Sequence, residues 1–452
     1  MTNKFLVLFS ALHFLLSIFY LDTWQNGNTT SRAIALLAFA ESRTLQVDKF
    51  HERSVDKSYI DGHYYSDKAP LPLFITIPFY EMVTLFELSP ENREKAAYIT
   101  GDILCGSIPF TLILLVTFLF IRKQKNVFIS PILLSALPFY ASFIFIYSGT
   151  FYSHLLAALF LLVGYIMIKY QKKFLLTGLL CGFAFASEFP VTLLIALWAL
   201  QIWLNERTLG PALKFSLGVL PSILFIAVYN YFLTGNILNM SYKYHAMQDL
   251  HSGYGFSLPT LESIWGLTLS PYRGILFYTP FLFLLLYSVI KGISQRSIPI
   301  SVSAIASNYL LPASLASILF MASYFEWWGG WCYGPRLIFF IAVLLTFEGI
   351  VIFSSRIFFK PLFWILTGFG LICTFMAKST IVYSVPTEIQ NPITEQVIPN
   401  FTAGNFNPNN LLTMLFNVPP QTANWVFFGL FAAVIMLLTW MYNREKQIAD
   451  AK

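Results

Sequence analysis

One short segment places an imidazole, a carboxylate and an ammonium group directly before an apolar run. Residues 62–72 read GHYYSDKAPLP and contain His63, Asp67 and Lys68. At a lipid–water boundary a lysine can serve simply as an anchor, with its ammonium group extended to water. The same ammonium group can bind the phosphate of a lipid head group, and the prolines would restrict the backbone that orients it. Both interpretations stay open for Lys68.

Aromatic residues and glycines mark a second candidate segment, residues 325–336, which read FEWWGGWCYGPR. Tryptophan and tyrosine at a membrane edge are typical of an aromatic belt. The adjacent glycines indicate instead a shaped turn, in which Trp328 could stack on a sugar ring. Arg336 begins an apolar run, where an unpaired cation would be costly. We therefore expect Arg336 to pair with a carboxylate or with an anionic ligand.

Three further polar residues interrupt or begin apolar runs. Glu188 lies in the break SEFP, at which two half-helices could meet, and a carboxylate there is costly unless it lines a cavity or finds a partner. His154 follows the segment SGTFYS, and Arg273 lies in a similar setting. A single histidine of this kind is more often a hydrogen-bonding structural residue than a catalyst. The predicted topology nevertheless maps all of these groups to one face of the membrane.

The elements that position these residues are predicted to be membrane helices. Hydrophobic residues make up 57% of the chain, charged residues make up 11%, and the mean hydropathy is +0.65. Soluble domains carry about 25% charged residues, so the composition excludes a soluble enzyme, a disordered chain and a disulfide scaffold. The apolar runs are long and continuous, which argues against an alternating β-barrel. The predicted fold class is an all-α polytopic membrane protein, because lipid offers backbone polar groups no partner outside the helix.

We predict about twelve transmembrane helices, each near the roughly 20 apolar residues that a span requires. They are residues 4–21, 98–121, 128–147, 150–168, 174–187, 190–204, 212–234, 271–290, 300–322, 335–353, 361–380 and 424–442. The first run lacks a small-residue cleavage site, so we interpret it as a span rather than a signal peptide. Clusters of lysine and arginine separate pairs of spans and favour a cytoplasmic position for both termini. Residues 70–88 contain three prolines and two acids, and we expect them to lie at the outer face.

A single transmembrane domain of residues 1–452 with this topology has four outer loops. They comprise residues 22–97, 235–270, 323–334 and 381–423. The first loop holds 11 of the 22 acidic residues of the chain. Within it, residues 31–45 can form an amphipathic juxtamembrane helix with Ser31 as its N-cap and with Arg32 and Arg43 on one side. The first loop is therefore where we expect the active-site residues.

Several enzyme classes have no signal in this sequence. The chain contains no Walker-type glycine-rich loop, no Cys/His spacing typical of zinc and no Gly-x-Ser-x-Gly elbow. It also has no polar segment long enough to form a domain for a nucleotide sugar or ATP. We expect neither a nucleotide cofactor nor a nucleic-acid partner.

In layout and motifs the sequence resembles integral-membrane glycosyltransferases of the GT-C type, the group that contains protein O-mannosyltransferases and the aminoarabinose transferase of lipid A. A first span is followed by a charged outer loop, in which Arg32 opens a helix as an arginine does in the family. The stretch YYSDKAPL is similar to the family's aromatic–basic–proline motif, with Lys68 at the basic position. The run GLLCGFAFASEFP is similar to the family's glycine-rich helix that leads to a charged tip. Bacterial members share the pattern SR, GHYYSDKAP and WWGGW–YGPR.

The resemblance implies a polyprenyl-phosphate-linked sugar as donor and an envelope glycan, lipid or protein as acceptor. It implies a multi-pass protein of the bacterial cytoplasmic (inner) membrane, with an active site that faces the extracytoplasmic side. In such enzymes a carboxylate deprotonates the acceptor hydroxyl, the anomeric carbon is attacked with inversion, and fixed cations stabilise the departing phosphate. Arg32, Lys68 and Arg336 are the phosphate-binding candidates. The resemblance implies no specific cofactor, and whether the enzyme uses a divalent cation stays an open alternative.

The catalytic base cannot be carried over from the family. Its members commonly have an Asp-Glu pair shortly before the helix arginine, where this chain has Thr29 and Thr30. We favour Asp48, and then Asp56, because both lie between the helix and the Lys68 motif. The alternative for each is a surface ion pair. Weaker candidates for the base are Asp22 and Glu41. Further substrate-binding candidates are His63, Asp67, His154, Glu188 and Trp328.

A transporter or flippase of lipid-linked saccharides is the main alternative function. It would need charged residues along a path through both leaflets, and Asp102 and Glu348 are acids that such a path could use. A non-catalytic scaffold for envelope assembly is the third hypothesis. A scaffold would tolerate simultaneous neutral substitution of Asp48 and Lys68.

Overall fold

The computed structural model describes residues 3–23, 26–246, 255–294, 308–354, 360–380 and 384–450. Parts of the predicted segments lie outside these ranges, namely residues 24–25, 247–254 and 381–383 of the outer loops and residues 300–307 of the span 300–322. Within the described ranges the chain is largely helical, with one short two-stranded sheet. The prediction of an all-α membrane protein is therefore confirmed as a fold class.

Short connections join most of the helices. In chain order the helices are α1 (Asn3–Ile18), α2 (Gly27–Ser42), α3 (Leu71–Thr84), α4 (Pro90–Gly101), α5 (Ile108–Ile121), α6 (Pro131–Tyr140), α7 (Phe143–Ile146), α8 (His154–Ile166), α9 (Phe174–Ser187), α10 (Thr192–Glu206), α11 (Leu209–Thr234), α12 (Leu261–Thr268), α13 (Ile275–Tyr278), α14 (Leu282–Ser294), α15 (Leu311–Ala322), α16 (Phe339–Phe353), α17 (Lys360–Thr380), α18 (Ile398–Ala403), α19 (Leu411–Phe416) and α20 (Pro420–Asp450). The strands β1 (Ser58–Ile60) and β2 (His63–Tyr65) pair antiparallel between α2 and α3.

Seven continuous helical stretches of the described residues are long and apolar enough to cross a membrane. They are Pro90–Ile121, His154–Gln171, Phe189–Glu206, Leu209–Thr234, Arg336–Phe353, Lys360–Thr380 and Pro420–Ile448. Each overlaps one of the twelve predicted spans. The other five predicted spans contain shorter helices, and two of them, 128–147 and 271–290, contain breaks. The count of twelve stays a prediction, because a straight span needs about 20 residues.

α2 begins earlier than predicted, at Gly27. The side chain of Asn26 caps it and accepts hydrogen bonds from the backbone N–H groups of the second and third helical residues, at 2.9 and 3.1 Å. The predicted N-cap at Ser31 and the predicted range 31–45 are therefore wrong, because Asn26 satisfies the first free N–H groups one turn upstream. Residues 29–38 are all buried, so this part of α2 is a core helix rather than an amphipathic surface helix.

α3 lies beside α2 and α4 and does not have the length of a span. Its 14 residues bury Leu73 and Tyr80 on the side that faces these helices. Phe79 and Met82, on its other side, are 49% and 63% exposed. A helix of this length is shorter than a straight span requires. That residues 70–88 lie at the outer face, or dip into it, stays a prediction.

α9 and α11 cross at two glycines. A Cβ atom built on Gly178 would lie 1.9 Å from the carbonyl oxygen of Phe215, and one built on Gly218 would lie 2.1 Å from that of Leu175. The two backbones approach this closely only because neither residue has a side chain, which is a common arrangement at helix crossings in membranes. The crossing matters for function because α9 positions Glu188, the residue that directly follows it.

Gly178→Ala is expected to destabilise the protein by about 1–3 kcal/mol, because the added methyl group forces α9 and α11 apart. Gly429→Ala in α20 is the matched control. A Cβ atom at Gly429 meets no atom within 4 Å, and alanine favours a helix over glycine by about 1 kcal/mol. Unfolding of both variants in one detergent measures the difference. A Gly178→Ala variant as stable as the wild type would contradict the tight crossing.

Candidate functional site

The segment that follows β2 places Lys68 between two carboxylates. Its Nζ atom lies 2.6 Å from Asp56 Oδ2 and 2.9 Å from Asp67 Oδ2. The side chain of Asp67 is 1% exposed, that of Lys68 14% and that of Asp56 23%. Ammonium–carboxylate hydrogen bonds of this length are strong, and partial exclusion of water strengthens them further. Three residues singled out in the sequence therefore lie in direct contact.

A β-hairpin brings these residues together. β1 pairs with β2 in a register that sets Ser58 opposite Tyr65. The Asp-Gly turn at residues 61–62 has positive φ at both positions, 49° and 89°, as a tight hairpin turn requires. Antiparallel strands bring the residues before the first strand next to those after the second. Asp56 is therefore close to Lys68, although twelve positions separate them in the chain.

The electrostatics of this cluster determine the charge of its members. Burial acts to raise the pKa of Asp56, but Lys68 and Arg336 outweigh it and hold that pKa below its usual value. Burial likewise acts to lower the pKa of Lys68, and its two carboxylate neighbours overcome this effect and raise the pKa. Lys68 is therefore charged and Asp56 ionised near neutral pH.

Asp67 is also held by α2 and by the segment that follows α11. Ser31 Oγ donates a hydrogen bond to Asp67 Oδ1 at 3.2 Å and lies 2.8 Å from Ser66 Oγ. His245 Nε2 lies 3.8 Å from Asp67 Oδ2. Ser31, predicted as a helix cap, thus belongs to the site. The sequence gives no signal for His245, because only its long-range bridge with Ser58 brings it here.

A second charged cluster centres on Glu188, between α9 and α10. Glu188 Oε1 lies 3.0 Å from His154 Nδ1 and 3.8 Å from Arg32 Nη2, and it accepts a hydrogen bond from the Ser153 hydroxyl. Arg32 in turn donates a hydrogen bond to Ser153 Oγ at 2.5 Å. Burial acts to raise the pKa of Glu188, but His154, Arg32 and Ser153 lower it to about 2. Glu188 therefore has the partners that a buried carboxylate requires.

The break that holds Glu188 follows from the sequence. Glu188 has an extended backbone, with φ −150° and ψ 115°. Pro190 cannot donate the hydrogen bond that would continue α9, and a 3-10 turn at Phe189–Val191 leads into α10 instead. Two helices thus meet at Glu188, as predicted.

Arg336 connects the tryptophan-bearing turn, residues 325–336, with the clusters around Lys68 and Glu188. Its Nη1 atom donates to the Tyr152 hydroxyl at 3.4 Å, and its guanidinium carbon lies 5.6 Å from the centroid of the Tyr152 ring, within the cation–π range. The Tyr152 ring stacks on the His154 ring at 5.2 Å between centroids. Arg336 also interacts electrostatically with Asp56 and Glu326. Its partners are thus an aromatic hydroxyl and nearby carboxylates.

The two clusters form one site because α2 contacts both. Ser31 contacts Asp67, and the next residue, Arg32, contacts Ser153 and Glu188. The segment between α2 and α3, the segment before α8 and the tryptophan-bearing turn therefore meet at α2 and Arg336.

Asp48 and His63 lie apart from this site. Asp48 Oδ2 is 2.7 Å from His63 Nδ1, and the two side chains are 41% and 46% exposed. Asp48 Oδ1 accepts a hydrogen bond from the backbone N–H of Tyr64 at 2.6 Å. The structure places this pair on the exposed surface of the hairpin and does not bring it into contact with Lys68.

Several buried nitrogen atoms at the site lack a hydrogen-bond partner in the part of the chain that the structure describes. They are Arg32 Nε, His154 Nε2, Trp328 Nε1 and Arg336 Nε. Buried polar atoms in native proteins are nearly always paired, so each exception calls for a ligand, a water molecule or an ion. Guanidinium and indole N–H groups donate only. A ligand at this site would therefore need to be rich in acceptor oxygen atoms.

Besides His245, three residues of the site were not predicted individually. Tyr152 and Ser153 belong to the hydroxyl-rich segment SGTFYS before His154, and that composition is the one sequence signal that points to them. Glu326 is the only acidic residue of the tryptophan-bearing turn. Burial raises the pKa of Glu326, and Arg336 opposes this increase.

Charged, hydroxyl and aromatic side chains supply the chemistry of this site. Among the described residues, no three His, Cys, Asp or Glu side chains are placed to hold a metal ion. The chain matches no protein-family model, and no curated protein or solved structure is similar to it.

Proposed function

We propose that this protein is a membrane glycosyltransferase of the GT-C type, which transfers a sugar from a polyprenyl-phosphate donor to an envelope glycan, lipid or protein. The observation that supports it best is the pair of largely buried cations, Lys68 and Arg336, that acts on the ionised carboxylate of Asp56. A third buried cation, Arg32, interacts with Asp67 and Glu188 of the same site. Cations stabilise a phosphate leaving group, and a carboxylate accepts a proton. The proposal includes about twelve spans, a bacterial cytoplasmic membrane and an extracytoplasmic site.

The donor phosphate is proposed to bind to Arg32 and Arg336, beside Lys68. The Nε atoms of both arginines are buried, and neither has a hydrogen-bond partner within the described residues. Arginine N–H groups suit phosphate oxygens, and a buried donor without a partner regains its lost hydrogen bond when a ligand supplies an acceptor. The same groups would stabilise polyprenyl phosphate as it leaves.

Asp56 is the catalytic base in this proposal, in preference to Asp48. Asp56 Oδ2 lies 2.6 Å from Lys68 Nζ, whereas Asp48 pairs with His63 on the exposed side of the hairpin. A phosphate that binds Lys68 competes with Asp56 for the ammonium group. Loss of that ion pair raises the pKa of Asp56 and makes it a better proton acceptor. Donor binding would therefore prepare the base for catalysis.

The proposed reaction is a single displacement with inversion at the anomeric carbon. The oxygen of the acceptor hydroxyl attacks this carbon, and its proton passes to Asp56. The bond between the anomeric carbon and the phosphate oxygen breaks, and polyprenyl phosphate leaves with the electron pair. Arg32, Lys68 and Arg336 balance the negative charge that develops on the phosphate.

Asp56→Asn is expected to lower the release of polyprenyl phosphate by at least about 10²-fold, because a positioned base contributes about 10²–10⁴-fold. The assay uses the purified full chain in nanodiscs with undecaprenyl-phosphate-linked mannose, glucose or arabinose and a cell-envelope extract as acceptor. Asp48→Asn is the matched control and is expected to stay within about threefold of wild type, since its ion pair is exposed. Equal losses in both variants would contradict the assignment of Asp56, and no release by the wild type would contradict the proposed function.

Transport of a lipid-linked saccharide is the competing function. Glu348, one of the two acids that such a path could use, lies 2.6 Å from Lys169 Nζ and accepts a hydrogen bond from the Tyr165 hydroxyl. Glu348 therefore has a cation and a hydroxyl group as partners. Movement of the labelled donor between vesicle leaflets without release of polyprenyl phosphate would favour the transporter and overturn the transferase.

A further inference from the structure

The imidazole of His154 has a contact at Nδ1 and at its ring faces, but none at Nε2 within the described residues. Its Nδ1 atom lies 3.0 Å from Glu188 Oε1, and its side chain is 7% exposed. The ring stacks on Tyr152 at 5.2 Å and 19° and on Phe339 at 5.7 Å and 22°. Its Nε2 atom is buried and has no hydrogen-bond partner among the described residues. A ring held this firmly, with one nitrogen still available, is arranged to contact something other than the protein.

The contacts of Glu188 determine what Nε2 can do. Ser153 donates a hydrogen bond to the carboxylate oxygen that faces His154 Nδ1, and Arg32 forms an ion pair with the same oxygen. An ionised carboxylate only accepts hydrogen bonds, so Nδ1 carries the proton in that contact. Burial disfavours a charged imidazole, Glu188 favours it, and the positive charges of Arg336 and Arg32 add to the effect of burial, which prevails. In the resulting neutral tautomer Nε2 carries a lone pair and accepts a hydrogen bond.

A ligand that pairs with the buried nitrogen atoms of the site therefore needs both hydrogen-bond acceptors and hydrogen-bond donors. Arg32 Nε and Arg336 Nε need acceptor oxygens, whereas His154 Nε2 needs a donor such as a hydroxyl group. A phosphate diester or a fully ionised phosphate monoester offers acceptors only. A sugar linked to phosphate offers both, because its hydroxyl groups donate as well as accept.

We propose that the Glu188–His154 pair recognises a hydroxyl group of the sugar on the lipid-phosphate donor. This inference rests on the proposed function and specifies where the sugar lies within the same site. His154 is then a specificity-determining residue that contacts the sugar, and Glu188 is a positioning residue that sets its tautomer and orientation. The phosphate lies between the arginines and Lys68, and the sugar extends towards α8.

Binding measurements test this inference without turnover. The full chain in nanodiscs is titrated with undecaprenyl phosphate and with undecaprenyl-phosphate-linked mannose, glucose and arabinose. We expect the wild type to prefer at least one glycosylated lipid over the bare phosphate. His154→Ala is expected to reduce that preference by about 10-fold, the contribution of one hydrogen bond, with the affinity for undecaprenyl phosphate unchanged. Glu188→Gln is expected to reduce the preference as well, because an amide can donate to Nδ1 and move the proton to Nε2.

His13 offers a matched control within the same chain. Its Nδ1 atom contacts the Tyr140 hydroxyl at 3.0 Å, and its Nε2 atom is also buried without a partner among the described residues. Its ring packs edge-on against Phe9 at 4.4 Å, in the apolar core. His13→Gln is therefore expected to leave the preference for the glycosylated lipid unchanged. His154→Gln, whose amide oxygen can accept a hydrogen bond, is expected to recover part of the preference lost in His154→Ala.

Each outcome bears on the inference separately from the proposed function. Equal loss of affinity for glycosylated and bare lipid in both His154 variants would show a structural role and overturn the inference. A wild type without preference for any of the three sugars would overturn it too. Sugar-dependent binding that needs His154, without release of polyprenyl phosphate, would support the sugar contact and reject the transferase. Release of polyprenyl phosphate, together with an unchanged sugar preference in the His154 and Glu188 variants, would support the transferase and reject the sugar contact.

Discussion

Lys68→Met is expected to reduce the release of polyprenyl phosphate by about 10²–10³-fold, the usual effect of removing one group that stabilises developing charge. Methionine keeps the length and the apolar stem of the side chain but removes the ammonium group. That group lies within hydrogen-bond distance of Asp56 and Asp67, next to the proposed phosphate position. Without it, the donor phosphate would approach these carboxylates with only Arg32 and Arg336 to offset its charge.

Lys68→Met is also expected to lower the stability of the folded protein. The effect on stability therefore has to be measured separately from the effect on catalysis. Lys68→Met leaves Asp67, which is 1% exposed, without its cation, and removal of one partner from a buried pair costs about 3–5 kcal/mol. The double variant Lys68→Met/Asp67→Asn is expected to recover most of that stability without recovering activity. Unfolding in detergent and release of polyprenyl phosphate are measured on the same preparations. A folded double variant with wild-type activity would contradict the role of Lys68.

An exposed lysine provides the control for this comparison. Lys49 Nζ lies 2.5 Å from Glu41 Oε2, but the lysine side chain is 70% exposed. Lys49→Met is expected to cost less than about 1 kcal/mol, because solvent and ions screen an exposed pair. Activity should stay close to that of the wild type.

Glu188→Ala is expected to destabilise the protein by about 3–5 kcal/mol, the usual cost of removing one partner from a buried ion pair. The substitution removes the partner of Arg32, which is 3% exposed, and the acceptor for His154 Nδ1 and the Ser153 hydroxyl. Glu91→Ala is the control, since Glu91 is 77% exposed and pairs with Lys95 along one helix. Solvent and ions screen that exposed pair, so its loss is expected to change stability little. Chemical unfolding of both variants in the same detergent measures the difference.

The pH dependence of stability provides an independent check on Glu188. Its pKa in the folded protein is about 2, below the ordinary value of 4.5, so the unfolded chain binds a proton more readily than the folded one. The stability that Glu188 contributes is then fully present above pH 4.5 and is lost as the pH falls towards about 2. The stability difference between wild type and Glu188→Gln is expected to narrow over that interval. A difference that stays constant from pH 7 to about 3 would contradict the ionised, paired state of Glu188.

Charged residues at the edges of apolar runs could be recognised from the sequence alone. Lys68, Glu188 and Arg336 stand out because a charge beside lipid is costly unless something compensates for it, and the structure brings all three into one site. The sequence could not distinguish Asp48 from Asp56. Both lie in a polar loop, where a carboxylate costs little whether or not it has a function.

The amino-acid sequence by itself determined that the protein is built of membrane helices, because long apolar runs can satisfy their backbone hydrogen bonds in lipid only as helices. It also determined the break at Glu188, since Pro190 cannot continue a helix. Only the tertiary structure decided that Asp56 faces Lys68 and that Glu188 meets Arg32 and His154. Those pairings depend on the register of a hairpin and on the crossing of helices that are distant in the chain, and such contacts follow from the packing of the whole molecule rather than from local residue patterns.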